Sequence, residues 1–209
     1  MKRQLEQRLS DVADFRDPSA ALEQYRTPAA IAAHLLTLAD LYDDVEDRTV
    51  VDFGSGTGML AIGAAFLAPD RVIGLEIDTS ALEVAKQNEA RITPPLDIDW
   101  IVADATRVPI CSPSVTAVSN PPFGAHSDNR NADRRFLEAI SDVATVSYTI
   151  HNEGSREFVE SFADDHGGTV THAFQAEFSL PRQFYFHASE RRTIQAEVFR
   201  IEWPSGSRS

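Results

Sequence analysis

The sequence predicts an α/β fold, a doubly wound parallel sheet with helices on both faces, and three observations predict it. Strand-like and helix-like segments alternate from Thr49 to Ile150. The first strand runs into a glycine-rich turn that opens a helix. Two long alternating segments end the chain, as an antiparallel pair closing one sheet edge would.

The elements follow from their apolar spacing. Residues 3–14 place Leu5, Leu9 and Val12 one helical turn apart, and residues 28–42 do the same with Ile31, Leu35, Leu38 and Leu41. These form an N-terminal helical extension, joined by the polar link "DPSAALEQYRTPA". From Thr49, "TVVDF" reads as a strand rich in β-branched residues, with a helix to about Leu67. "RVIGLEI" is the second strand and "TSALEVAKQNEA" a helix. "IDWIVA", "VTAVS", a helix around "RRFLEAISDVA" and the strand "TVSYTI" continue the alternation. After a helix near 154–165, "GGTVTHAFQAEFSL" and "TIQAEVFRIEW" alternate with period two, which brings the strands to seven. With no repeat and no linker, a single domain spans 1–203, and the tail 204–209 is expected to be loose.

A chain of 209 residues, 43% hydrophobic, suits one core. No apolar run approaches the roughly 20 residues that cross a bilayer, and Met1-Lys2-Arg3 leads into an amphipathic helix, so a soluble, cytoplasmic protein is expected. Cys111 is the lone cysteine, without the Cys/His companions of a zinc site; a structural thiol and no metal are expected. Acidic residues number 32 against 19 basic, for a formal net charge of -13, and Lys2 and Lys86 are the only lysines. Such a surface resembles that of proteins from salt-accumulating, halophilic archaea, where molar salt shortens the Debye length to about 3 Å. A mesophilic acidic protein with a small-molecule or protein substrate is the competing explanation. The charge repels nucleic acid in dilute buffer and much less in concentrated salt.

"VVDFGSGTGML" sets Asp52, Gly54, Gly56 and Gly58 at a strand end before a helix, where glycines let the backbone approach a ligand in the crevice beyond the strand ends. The dinucleotide fingerprint G-x-G-x-x-G is not met, since "GSGTG" brings its third glycine one residue too early, which disfavours nicotinamide. Glu76 ends the second strand, where a carboxylate can accept both hydroxyls of a ribose. Asp104 follows the third, where it can accept from an adenine amine with the Ala105 N–H nearby. For any one acid alone a cap or a solvated turn is the better reading; jointly, with the glycines, they converge on a nucleoside pocket.

"VSNPPFGAH" leaves the fourth strand through two prolines, whose missing donors and fixed φ make a stiff loop. An exocyclic amine on a heterocycle is a poor nucleophile because its lone pair is delocalised. If Asn120 Oδ1 and the Pro121 carbonyl accept its two hydrogens, the nitrogen can pyramidalise, with Pro122 stiffening the loop and Phe123 stacked on the base. An ordinary strand-ending turn is the bland alternative.

Together, "DFGSGTG", Glu76, Asp104 and "NPPF" resemble the S-adenosylmethionine-dependent amino methyltransferases. "LEQYRTPAAIAA", "NPPFGA", "YTIHNEGSREFV" and "LPRQFYFHASERR" narrow the resemblance to the small-subunit ribosomal RNA adenine-N6 methyltransferases, methyltransferase-like protein five and its archaeal relatives, over about Leu5 to Trp203. The resemblance implies a Rossmann-like sheet of order 3-2-1-4-5-7-6 with the last strand antiparallel. Residues 1–45 would then form N-terminal helices and a cofactor lid on a core of 46–203. It further implies S-adenosylmethionine contacts from Gln24, Thr27, Gly54, Thr57, Met59, Glu76, Asp104 and Ala105, with Asn120 to Phe123 as the catalytic loop. Arg26, where the family often has proline, and a segment "HASERR" less basic than usual are departures.

RNA contacts are expected from Arg130, Arg134 and Arg135 after that loop and from Arg182, Phe184, Phe186, His187, Arg191 and Arg192 at the other rim. A solvated face is the plain alternative for each. The resemblance implies a small zinc-binding activator protein as partner, and the third strand, Ile98 to Val102, predicted at the sheet edge with Trp100 exposed, is where it would pair. Glutamine-N5 methylation of a release factor is the rival enzyme reading, although those enzymes more usually carry Tyr after the prolines. A non-catalytic cofactor-binding subunit is the rival from another class.

Overall fold

The structure, a computed structural model, describes residues 1–108, 110, 114–122, 131–180 and 192–204, with the side chains of 177–180 and 192–194 left aside. Helices α1 (Lys2–Leu9) and α2 (Ala29–Leu41) precede the alternating core. There follow β1 (Thr49–Phe53), α3 (Met59–Ala64), β2 (Arg71–Glu76), α4 (Thr79–Ile92), β3 (Ile98–Val102), β4 (Val115–Ser119), α5 (Ala132–Val143), β5 (Val146–Asn152), α6 (Arg156–Asp165), β6 (Thr169–Leu180) and β7 (Arg192–Glu202). The strands form one sheet of order β3-β2-β1-β4-β5-β7-β6. The first five are parallel, and β7 runs antiparallel to both β5 and β6. This is the Rossmann-like fold that the sequence predicts.

The sheet is buried on both sides because each central strand gives alternate residues to opposite faces. On one face Val50, Val72, Val118, Tyr148 and Val198 join residues of α1, α2 and α3, with Ile92 of α4 against them. On the other, Val51, Phe53, Leu75, Ala117 and Phe199 pack with Leu137 and Ile140 of α5 and Phe162 of α6. Order reverses between β1 and β4, so the ends of these two strands flank the crevice where ligands collect in such sheets.

Three expectations change in detail. The first helix stops at Leu9 instead of residue 14: Ser10 Oγ bonds back to the Glu6 carbonyl at 2.8 Å, and Ala13 leaves to pair with the side chain of Asn88. Val12 is buried all the same. Helix α3 ends at Ala64 and runs on as tight turns to Leu67. Strand β3 is the sheet edge, as expected, but Trp100 is not its exposed apolar residue. The indole is half-buried, covers Gly74 and donates from Nε1 to Glu89 at 2.6 Å; Ile101 and Val102 are the exposed ones, 43% and 55%. A flat ring covers a glycine at lower solvation cost than it would pay in water, so Trp100 turns inward. Cys111 lies outside the described residues, and among those described no helix is long and apolar enough to cross a membrane.

Below the crevice a buried ionic cluster locks the late strands to the α2–β1 connection. Asp44 Oδ2 accepts from Tyr148 Oη at 2.6 Å and from Arg200 Nε at 2.8 Å, and Arg200 reaches Glu202 at 2.6 Å. Removing one partner of a buried pair strands the other charge. Arg200→Met leaves Asp44 with only its longer pair to Arg48, at 3.6 Å, and is therefore expected to cost about 3 kcal/mol of unfolding free energy. Tyr148→Phe leaves Asp44 paired and should cost only about 1 kcal/mol; urea denaturation measures both.

Candidate active site

The site is built from the carboxyl ends of β1, β2, β3 and β4 and from the chain between α1 and α2. After β1 the backbone takes left-handed turns, with φ of 52° at Gly56 and 90° at Gly58. A Cβ on Gly56 would stand 2.8 Å from Phe15 Cζ, and one on Gly58 would stand 2.8 Å from Trp100 Cη2, so both the conformation and the space demand glycine. The turn is pinned by Glu76, whose Oε2 accepts from Gly56 N at 2.7 Å and whose Oε1 accepts from Asp78 N at 2.9 Å. The carboxylate keeps acceptor capacity for a ligand hydroxyl.

A cavity of about 440 Å³ lies over this turn. Of the expected cofactor residues, Gln24, Thr27, Gly54, Gly56, Thr57, Met59, Glu76, Asp104 and Ala105 line it, as do Asn120 and Pro122 of the expected catalytic loop. Asp52 does not. Buried behind the turn, its Oδ2 accepts from Ala61 N at 2.9 Å in the first turn of α3. Phe123 and Arg130, Arg182, Phe184, Phe186, His187 and Arg191 lie outside the described residues, and Arg192 is described only as the start of β7. The other two expected RNA contacts separate. Arg135 lines the cavity, whereas Arg134 pairs with Glu138 at 3.3 Å and lies over the Phe162 ring.

Several wall residues escaped the sequence reading. Phe15, Leu22, Tyr25 and Arg26 come from the link between the first two helices, Ile77 follows Glu76, Arg107 follows Asp104, and Phe136 of α5 stands against Gly54. An aromatic isolated in the polar run "DFRDP" was the one available signal for Phe15. Asn88 had none: it is buried in α4, exchanges two bonds with the Ala13 backbone and donates to the Thr57 carbonyl at 2.9 Å. Gln24 adds a second tether, donating from Nε2 to Asp78 at 2.7 Å while its Oε1 accepts from Ser19 N at 2.8 Å. The link is thereby strapped across the glycine turn.

The acids are shifted in different directions for physical reasons. Burial pushes the Glu76 carboxyl up, against backbone N–H groups of Asp78, Gly56 and Ile77 that favour its charge. Burial also raises Asp104, but the bonds from Thr106 and the charges of Arg107 and Arg135 outweigh it and hold that carboxyl below its ordinary value. Burial drives Asp52 up to about 8, the Ala61 N–H opposing and the charge of Glu76 adding.

Comparison with known proteins follows this geometry. The family profile of ribosomal protein L11 methyltransferase (PrmA) matches residues 32–97, the segment that carries the glycine turn and Glu76. A Methanocaldococcus jannaschii protein is 35% identical over 96% of this chain and 94% of its own. The rRNA N6-adenosine-methyltransferase METTL5 of Danio rerio is 31% identical, covering 95% of this chain and 97% of its own. The chain belongs to the METTL5 family. A crystal structure from this family's fold, a Pyrococcus horikoshii protein described as a candidate RNA methyltransferase, superposes with a TM-score of 0.86 at 34% identity, over 97% of both chains. As a member, the protein is a methyltransferase, and its methyl donor is S-adenosylmethionine.

The METTL5-family cavity fits that cofactor. Glu76 and Asp104 offer carboxylate acceptors to a nucleoside, Phe15, Met59, Ile77 and Phe136 offer apolar faces, and the glycine turn leaves no side chain in the way. Asp52 supplies a test of the cradle itself. Its folded value, about 8, lies above its ordinary 3.8, so between these the folded protein holds a proton that the unfolded chain releases. That contribution is complete below pH 3.8 and is lost as pH rises toward 8. Asp52→Asn, which keeps an acceptor for Ala61 N, should remove a decline of up to about 1.4 kcal/mol per pH unit. Urea midpoints of the two proteins from pH 4 to 8 measure the difference.

Proposed function

We propose that this protein transfers a methyl group to the N6 amine of an adenosine in small-subunit ribosomal RNA. The observation that carries the reading is the state of Asn120. Its Nδ2 donates to Thr27 Oγ1 at 2.9 Å, while its Oδ1 is buried at the cavity wall with no partner among the described residues. A buried amide oxygen without a donor costs about 1–3 kcal/mol, and a substrate amine supplies the missing donor. The name borne by the Danio rerio relative supports the same substrate class.

S-adenosylmethionine, when bound, supplies an electrophilic sulfonium methyl. Asn120 Oδ1 and the Pro121 carbonyl accept the two amine hydrogens, and the nitrogen lone pair, drawn out of conjugation, is aimed at that methyl. Phe123, the expected stacking residue, would supply the aromatic face for the adenine. No strong base is needed, because the amine becomes acidic only once alkylated and then loses its proton to water. Glu76 would hold the ribose hydroxyls, and Asp104, whose charged form is favoured by the bonds from Thr106 and the charges of Arg107 and Arg135, would accept from the cofactor's adenine amine. An adenosine in folded RNA must be unstacked to enter, which favours an unpaired target.

Substrate RNA would be held by Arg135 and by the arginines and aromatics expected around the loop. Glutamine-N5 transfer to a release factor and a non-catalytic role are separated from this reading by one assay. Tritiated methyl should appear on small-subunit RNA, and its appearance on protein alone, or on neither, would sink the proposal. The assay belongs in molar as well as dilute salt, since a chain of charge -13 repels RNA until it is screened. Asn120→Ala should lower transfer roughly 10²-fold or more while S-adenosylmethionine affinity is retained.

The edge strand supports the expected partner. The Ala103 N–H turns inward to the Glu76 carbonyl at 3.0 Å, so the alternate groups of Trp100 and Val102 turn outward. Beside them stand the exposed side chains of Ile101 and Val102. We propose that a small zinc-binding activator adds a strand here. Val102→Pro deletes an outward donor and spares the ladder to β2; it should abolish co-purification with the activator and leave the thermal midpoint nearly unchanged. A complex that survives this change uses another surface.

A further inference from the structure

An asparagine amide has two ends of nearly equal size and opposite hydrogen-bonding sense. With Oδ1 toward a cavity it attracts an amine's hydrogens; turned by 180° it presents Nδ2 and repels them. A site that relies on the oxygen must therefore fix which end faces in. Here the one hydrogen bond of the Asn120 side chain among the described residues is to Thr27, at 2.9 Å, and both residues line the cavity.

We propose that Thr27 is a positioning residue for Asn120, its hydroxyl oxygen holding Nδ2 so that Oδ1 faces the substrate amine; this rests on the reading that Asn120 grips that amine. Thr27 is well placed for the task. It is 7% exposed and is followed by Pro28, whose extended backbone (φ -60°, ψ 136°) leads into α2. A proline disfavours the helical region for the residue before it, so the Thr27 backbone is restricted. Its β-branched side chain has few rotamers. The oxygen that meets Asn120 is thus held from the backbone outward.

A hydroxyl can donate as well as accept, so the sense of this bond depends on where its single proton goes. Accepting from Nδ2 leaves that proton to be donated elsewhere along the cavity wall. A ligand acceptor at that point would strengthen the orientation, and a ligand donor would reverse it. Thr27 also lies on the strap that Gln24 and Asn88 tie across the glycine turn. The segment that walls the cofactor cavity therefore also sets the catalytic amide, although Thr27 and Asn120 are 93 residues apart in the chain.

The test compares Thr27→Val, which keeps shape and loses the hydroxyl, with Thr27→Ser, which restores it. At saturating S-adenosylmethionine, Thr27→Val should lower kcat for rRNA methylation roughly 10- to 100-fold with little change in the RNA KM, and Thr27→Ser should recover most of it. The second readout needs no turnover. In the protein without RNA, the side-chain NH₂ protons of Asn120, followed by nitrogen-15 NMR, should exchange slowly in wild type and in Thr27→Ser and quickly in Thr27→Val. Full kcat in Thr27→Val, a serine variant as slow as valine, or unchanged NH₂ protection in valine would each overturn the proposal. If wild type transfers nothing to rRNA, the functional reading fails instead, and the NH₂ exchange still decides whether Thr27 holds the amide.

Discussion

The buried carboxylate of Glu76 is the constraint on which the cavity depends. It bonds Gly56 N on one side and Asp78 N on the other, so one charge joins the turn after β1 to the turn after β2. Both turns carry N–H groups that no helix or ladder satisfies, and an anion at the bottom of the sheet crevice satisfies them together. Asp78 then caps α4 at Ser80 N and receives Gln24, which carries the tie onward to the strap. A floor made of loops is tied together because its orphan donors share one acceptor.

The strap follows from that floor. Residues 11–27 form no regular element across their middle, yet Asn88 satisfies the backbone of Ala13 and the carbonyl of Thr57 at once. Phe15 packs where the missing Cβ of Gly56 leaves room, 2.8 Å from where that atom would be. The glycine therefore serves two partners: it lets the turn adopt a left-handed φ, and it lets an aromatic ring from the strap close against it. Thr27, at the strap's far end, is the point where this wall meets the loop after β4.

Charge of both signs meets at the site. In a chain of net charge -13, Arg26, Arg107 and Arg135 line the same cavity as Glu23, Glu76 and Asp104. Two of the arginines help to keep Asp104 ionised. Local field at a cleft is set by the groups that line it more than by net charge, which acts at long range and is screened by salt.

Local pattern was enough for the elements, since strand alternation and helix spacing are read within a few residues. It was enough for Gly54, Gly56, Gly58, Glu76 and Asp104 as well, because a residue at the end of a parallel strand has its place fixed by the strand. Asp52 carried the same signal yet turned behind the wall, since the period of two sends it to the α3 face. Trp100 looked exposed at an edge and folded inward over Gly74, a residue 26 positions away that only strand pairing brings beneath it. Phe15, Asn88 and the Thr27–Asn120 bond belong to the same class. The sequence by itself determined the α/β order, the glycine turn and the acids at the strand ends. Only the tertiary structure decided what lies across the cavity from them, because hydrogen bonds and ring contacts between distant segments exist once the sheet has aligned those segments and leave no periodic trace in the chain.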